Sequence, residues 1–131
     1  MKRKSLDTNA VARLMCRNVP QQYDLIKKMV ISGKVRYFVS DITLFELAHV
    51  LSIHYEFSRE QVRRTIEDLM SINTIDCNRE LTMNTLRLYS EHDKLSYADC
   101  YLAASAEFMN APPLWTFDKD LAKRTSLAKL I

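Results

Sequence analysis

The sequence predicts a single α/β domain over residues 1–131, with a short central parallel sheet of four to five strands flanked by helices. Hydrophobic residues make up 47% of the 131 residues, enough for one core of common domain size. One glycine and three prolines leave few helix breakers, so helices are expected to dominate. Short segments rich in β-branched and aromatic residues alternate with the helical stretches, a pattern typical of a parallel sheet.

Four helices and two strands are predicted in the first part of the chain. Pro20 suits the first turn of a helix, and Ser32-Gly33 suits its end. Val35–Val39 is rich in β-branched and aromatic residues, and Ser58-Arg-Glu-Gln61 is a capping-box pattern. We expect strands at about 3–6 and 35–39, and helices from Asn9 onward and over about 20–32, 41–55 and 58–72.

Three helices and three strands are predicted in the second part. Ser96 is placed to begin a strongly apolar helix, and Asp118 to begin a last, short one. We expect strands at about 74–77, 113–117 and 128–131, the last of them at an edge, and helices over about 79–91, 96–109 and from 118 onward. Ligands of such sheets bind outside the carboxyl ends of the strands.

Composition excludes several classes of protein. The net charge of +3 is too small to indicate a nucleic-acid binder by itself. Cys16, Cys77 and Cys100 are odd in number and far apart, which predicts buried free thiols and no zinc site or disulfide framework. No apolar run approaches the ~20 residues that span a bilayer. The basic start is followed at once by Asp7, which is not the pattern of a signal peptide. We therefore expect a cytoplasmic protein without membrane contact.

Two aspartates occupy the position where a parallel sheet binds its ligands. Asp7 and Asp118 each follow a predicted strand and precede a predicted helix, so both should lie at the carboxyl edge of the sheet. The alternative interpretation is structural, because aspartate is a preferred N-cap residue.

Asp99 and Glu46 lie within helices. Ser96-Tyr-Ala-Asp99 also matches a capping-box pattern, but the helix is apolar on nearly every side and should be buried, which directs Asp99 inward or into a cleft. Glu46 shares its predicted face with Ile42 and Ile53, about a turn inside its helix. A buried carboxylate is costly unless it is paired or binds a metal, so an arginine partner is the alternative for Glu46.

The four carboxylates together indicate a metal site. Converging acids would raise one another's pKa, and a divalent cation removes that conflict. Oxygen ligands alone select hard ions such as Mg²⁺ or Mn²⁺. One ion can lower the pKa of an attacking water and a second can stabilise the leaving oxygen, which is chemistry for hydrolysing a phosphodiester bond.

The motifs around these acids, in this order and spacing, resemble the PIN-domain family over nearly the whole chain, and in particular the VapC-like ribonuclease toxins of bacterial and archaeal toxin–antitoxin pairs. They are Leu6-Asp7-Thr8-Asn9, Val39-Ser40 followed by Glu46-Leu47, Ser96-Tyr-Ala-Asp99, and Leu114-Trp-Thr116-Phe-Asp118-Lys-Asp120-Leu. The resemblance implies that Asp7, Glu46, Asp99 and Asp118 hold one or two Mg²⁺ or Mn²⁺ ions for RNA cleavage. It also implies a toxin that forms a homodimer and is blocked by a small antitoxin.

The resemblance also implies supporting roles for further positions. Asn9 and Thr116 match polar groups that support the acids. Asp120 either helps to hold a metal through water or simply lies in the first turn of the last helix, which the helix dipole favours. The family usually carries a glycine before the fourth strand, whereas this chain has Asn110-Ala-Pro-Pro113. Asp41 is expected to cap the helix that carries Glu46.

Two other functions remain open from the sequence. One is a different acid-cluster enzyme, such as a phosphatase or a DNA-directed nuclease, and the other is a non-catalytic interaction protein with the same fold.

His49 is expected to be a core or cleft histidine rather than a ligand. The basic residues of the helix after Ser58 either bind RNA phosphates or form a solvated face; they are Arg59, Arg63 and Arg64.

Overall fold

The computed structural model describes residues 2–131, in which every predicted helix and strand is present. The helices are α1 (Thr8–Cys16), α2 (Pro20–Ile31), α3 (Asp41–Ile53), α4 (Arg59–Ser71), α5 (Arg79–Glu91), α6 (Tyr97–Phe108) and α7 (Lys119–Arg124). The strands are β1 (Lys2–Ser5), β2 (Val35–Phe38), β3 (Ile75–Asp76), β4 (Leu114–Thr116) and β5 (Ala128–Leu130). The mixed α/β fold with parallel strands is therefore confirmed.

The chain divides into two compact units, Met1–Arg79 and Glu80–Ile131. The first contains a parallel sheet in the order β1-β2-β3, and the second contains the parallel pair β4-β5. The five strands thus belong to two sheets, where the sequence predicts one sheet of four to five strands. The strands are very short, with only two residues in β3 and three in β4, so each pairing has few backbone hydrogen bonds. A single domain over the whole chain stays a prediction.

The sheet of the first unit is extended beyond its strands at the carboxyl ends. Leu6 N–H donates to the Phe38 carbonyl at 3.0 Å, and Val39 N–H donates to the Asp76 carbonyl at 2.8 Å. Val39 and Ile75 are fully buried, so one face of this sheet contributes to the core. The core is completed by apolar side chains from α1, α3 and α4, among them Val11, Leu47, Leu51, Ile66 and Leu69.

Local sequence accounts for the helix ends of the first unit. Pro20 occupies the first turn of α2, and Gly33 adopts a φ of 72° just after it. The capping box of α4 is confirmed, with Ser58 and Gln61 bonded reciprocally. The expectation that Asp41 caps α3 is wrong. The hydroxyl of Ser40 accepts from Thr43 N–H at 3.2 Å, and Asp41 follows it in the first helical turn.

The end of α6 shows how the second unit replaces the glycine expected before β4. Asn110 adopts a φ of 55°, and its N–H donates to the Glu107 carbonyl at 3.0 Å. Ala111 N–H donates to the Ala106 carbonyl at 2.8 Å, which completes a Schellman motif. Asparagine tolerates the left-handed region better than other residues with a Cβ, so the turn forms without glycine.

The cysteines agree with their prediction in part. No disulfide joins Cys16, Cys77 and Cys100. Cys100 is buried, whereas Cys16 and Cys77 are half-buried.

Among residues 2–131, no helix has both the length and the apolar character that crossing a membrane requires.

Candidate functional site

Asp7 lies directly beyond the carboxyl end of β1 and is the N-cap of α1. Its Oδ1 accepts from Ala10 N–H at 2.9 Å, so Asp7 caps the helix, whether or not it also binds a ligand. The side chain is exposed, and no described residue bonds to Oδ2. One carboxylate oxygen thus fixes the orientation of Asp7 while the other stays available to a ligand.

Glu46 lies on α3, and its expected burial is wrong. The side chain is exposed, on the same face as Ile42 and Ile53, which are 66% and 60% exposed. The buried stripe of α3 is on the opposite side of the helix and includes Leu44, Leu47, Ala48 and Leu51. Within the first unit no described cation pairs with Glu46, so the arginine alternative finds no partner there.

Asp99 lies in the first turn of α6. Its backbone N–H donates to the Ser96 hydroxyl at 3.1 Å, and the carboxylate is half-buried. The expectation that α6 is buried on nearly every side is wrong. Its buried stripe is formed by Tyr97, Cys100, Ala103 and Ala104, whereas Leu102 is 48% exposed. Asp99 lies beside that buried stripe rather than within it.

Asp118 repeats in the second unit what Asp7 does in the first. It follows the carboxyl end of β4, is exposed, and accepts from Leu121 N–H at 3.1 Å through Oδ1 as the N-cap of α7. Its own N–H donates to the Thr116 hydroxyl at 2.9 Å. Thr116 therefore supports the turn that carries Asp118, and its role in supporting metal ligands stays a prediction. Asp120 lies exposed in the first turn of α7, as its simpler interpretation predicts.

The two units each contain two of the predicted acids. In the first unit, β1 and β2 are parallel neighbours and end at one edge, so Asp7 and the start of α3 lie at that edge. In the second unit, Asp118 follows β4, and Asp99 lies in the first turn of α6. Among residues 2–131, neither unit holds a group of three or more His, Cys, Asp or Glu side chains placed to bind a metal ion.

Asp76 is a further acid at the carboxyl edge of the first sheet that the motifs do not indicate. It is the last residue of β3, and Arg36 Nε donates to both of its carboxylate oxygens at 3.0 Å. Arg3 Nε lies 3.4 Å from Oδ2. The Arg36 guanidinium, helped by Arg3 and Arg79, holds the pKa of Asp76 below its ordinary value. Because arginine already neutralises Asp76, we assign it a structural role that links the strands.

The remaining polar candidates are on the surface. Asn9 and His49 are exposed, so the expectation of a core histidine at position 49 is wrong. On α4, Arg63 pairs with Glu60 and Glu67, and Arg64 Nε lies 3.0 Å from Glu60 Oε1. These intrahelical pairs balance the positive charge of this face, which favours the solvated-face interpretation of its arginines.

Comparison with known proteins gives two findings. A family model described as PIN domain matches residues 5–126. Among solved structures, the crystal structure of VapBC2 from Rickettsia felis bound to a DNA fragment from their promoter is similar at 20% identity and a TM-score of 0.41, covering 98% of this chain and 97% of that chain. No curated protein matches the sequence. Proteins with PIN domains are typically nucleases, and they generally use divalent metal ions.

Proposed function

This chain belongs to the PIN-domain family, and from that premise we propose that it is a Mg²⁺- or Mn²⁺-dependent endoribonuclease. Its site would be formed by Asp7, Glu46, Asp99 and Asp118. One observation carries the proposal. The family match over residues 5–126 spans all four acids, and the resemblance of the surrounding motifs implies that each of them corresponds to a family acid.

The donor chemistry of these residues fits a hard divalent cation. All four offer carboxylate oxygens, and no described cation of its own unit forms an ion pair with any of them. Asp7 and Asp118 each use Oδ1 as a helix cap and keep Oδ2 unbonded to any described residue. A bound Mg²⁺ or Mn²⁺ would supply Lewis acidity toward phosphate oxygens and lower the pKa of a coordinated water.

The chain itself supplies position and charge. The two capping bonds restrict the rotation of the Asp7 and Asp118 side chains, and the Thr116 hydroxyl holds the turn before α7. Such preorganisation lets ligands meet a cation without reordering. Asn9 would support Asp7 in the same way, and Asp120 would add negative charge close to Asp118.

We further propose that the protein is the toxin of a toxin–antitoxin pair, that it acts in the cytoplasm, and that it forms a homodimer. Support comes from the resemblance of its motifs to VapC-like toxins. The surface of α3 beside Glu46 adds a physical reason for a protein partner, because Ile42 and Ile53 are largely exposed there. An antitoxin segment that covered this surface would shield both the apolar side chains and the acid.

Cleavage assays on three substrates test the activity. The purified protein is incubated with single-stranded RNA, single-stranded DNA and a phosphomonoester, each with Mn²⁺ or with EDTA. We expect internal cleavage of RNA with Mn²⁺ only. RNA that stays intact would refute the proposal, and hydrolysis of the phosphomonoester alone would assign a phosphatase instead.

Conservative variants test the site. D7N, E46Q, D99N and D118N should each lower kcat/KM by at least about a hundredfold, because each removes a charged ligand. Asp24 is an exposed acid on α2 to which we assign no role, so D24N is the matched control and should keep full activity. Wild-type activity in both D7N and D99N would show that the site is elsewhere.

A further inference from the structure

The second unit contains a cavity at the carboxyl-terminal ends of its helices. The cavity has a volume of about 290 Å³ and is lined by the end of α5, the end of α6, and the turn between α7 and β5. Arg87, Glu107, Arg124 and Ser126 are among the residues that line it. We propose that this cavity binds a phosphate group through Arg124.

Arg124 is the residue on which the proposal depends. Its side chain is half-buried, and Nε is buried without a hydrogen-bond partner in residues 2–131. Buried donors of charged groups are seldom left unsatisfied, because a donor that loses its hydrogen bonds to water and gains no other partner destabilises the fold. No described carboxylate forms an ion pair with Arg124, although Glu107 lines the same cavity. The geometry therefore leaves a guanidinium that faces a cavity and lacks an anion.

Of the two arginines that line the cavity, Arg124 is the one that no described carboxylate pairs with. Glu91 also lines the cavity, but it is paired with Arg87, whose Nη1 lies 3.8 Å from Glu91 Oε1. Glu107 is exposed, so water screens its repulsion of a bound anion.

Phosphate is the anion that the available donors fit best. A guanidinium presents parallel N–H donors that match two oxygens of a phosphate. Ser126 lies in the turn before β5, exposed, with a hydroxyl that bonds to no described residue. Phosphate has more acceptor oxygens than a carboxylate and can use donors from both Arg124 and Ser126.

The cavity is separate from the acids proposed for catalysis. Asp99 lies in the first turn of α6, whereas Glu107 lies in its last turn. Asp118 follows the carboxyl end of β4, whereas Ser126 precedes the amino end of the parallel strand β5. Phosphate binding at Arg124 thus goes beyond the proposed nuclease activity, and it can be measured in EDTA without any catalysis.

The Arg124 Nε–H group is itself a spectroscopic probe. In ¹H–¹⁵N spectra of the full chain in EDTA, its resonance is assigned by its loss in R124K. We expect inorganic phosphate, at constant ionic strength against chloride, to shift this resonance with saturation. R124K should bind phosphate at least about tenfold more weakly, since lysine keeps the charge but cannot form the bidentate contact. K123Q, which changes the exposed neighbouring cation outside the cavity lining, should bind like the wild type.

The source of the phosphate is decided by a second titration with single-stranded oligoribonucleotide in EDTA. If RNA shifts the Arg124 resonance and added inorganic phosphate competes with RNA for the cavity, the ligand is an RNA phosphodiester. A shift with inorganic phosphate but not with RNA assigns a free phosphate or a small phosphorylated molecule. If neither ligand moves the resonance, or if R124K binds phosphate as tightly as the wild type, the inference is wrong.

Discussion

At the scale of single residues, Asp118 combines a structural task with the proposed catalytic one. Its Oδ1 caps α7, and asparagine caps a helix about as well as aspartate does. Replacement by alanine removes both tasks, whereas replacement by asparagine removes only the negative charge.

We therefore predict that D118A lowers the free energy of unfolding by about 1 kcal/mol and that D118N leaves it nearly unchanged. Both variants should lose cleavage activity. Urea denaturation together with RNA cleavage assays would measure the two effects. Equal stability of the two variants would argue against the cap, and an active D118N would argue against the metal role.

Asn110 gives a second prediction at this scale. Its φ of 55° lies in the left-handed region, which costs most residues with a Cβ roughly 1 kcal/mol or more. N110A should therefore lower the free energy of unfolding by about 1 kcal/mol, while N110G should stay close to the wild type. Thermal unfolding of the three proteins would test this, and an N110A protein as stable as N110G would contradict the assigned conformation.

Residue types predicted the caps well, because Asp7, Ser58 and Asp118 perform a local task that depends on few neighbours. The exposure of Glu46 could not be predicted from residue types in this way. The helix α3 offers apolar residues on all sides, so its sequence does not determine which stripe meets the core. Only the packing of Leu44 and Leu47 decides it.

At the scale of elements, the first sheet depends on one acid shared between strands. Arg3 of β1 and Arg36 of β2 are partners in the parallel register, which places two like charges side by side. Asp76 of β3 contacts both and removes this repulsion. The sheet is therefore held together by charge as well as by its backbone.

This arrangement predicts a pH dependence of stability. The pKa of Asp76 is lowered in the folded state, so its contribution is present above the ordinary aspartate pKa of about 3.9 and is lost as the pH falls through the folded value. D76N should be less stable than the wild type at pH 7, and the difference should shrink toward pH 3. Denaturation across this range measures it, with D24N as a control. A difference that stays constant with pH would exclude the ionic role.

The elements themselves follow from the sequence because their determinants are local. Turn residues, caps and hydrophobic periodicity predicted all seven helices and five strands of residues 2–131. The division of the strands between two sheets was not predictable, because pairing depends on contacts between residues distant in sequence. For a strand as short as β3, the composition says little about which strand it pairs with.

At the scale of the whole molecule, the proposed site takes two acids from each compact unit. Convergence of the four was predicted from their expected positions at one edge of the sheet and from the family motifs, and it remains a proposal. Sequence order places acids at strand ends, but the distances between them depend on the assembly of both units.

The proposed metal binding by the four acids would have a thermodynamic consequence. If the folded chain binds Mn²⁺ and the unfolded chain does not, Mn²⁺ at ten times its dissociation constant should stabilise the fold by about 1.4 kcal/mol. The shift in Tm should disappear with EDTA and should be reduced in D7N and in D99N, one variant from each unit. D24N should retain the full shift. A Tm independent of Mn²⁺ in the wild type would contradict a metal site.

The burial of the thiols determines how the protein responds to electrophiles and oxidants. Burial raises the pKa of Cys16 and of Cys77, and Cys100 has no exposed surface. Because the thiolate is the reactive form, all three should be alkylated slowly while the chain is folded. A cysteine introduced on the surface, as in D24C, should react with maleimide much faster than the native three. The folded protein thus accepts a single fluorescent label without removal of its own cysteines.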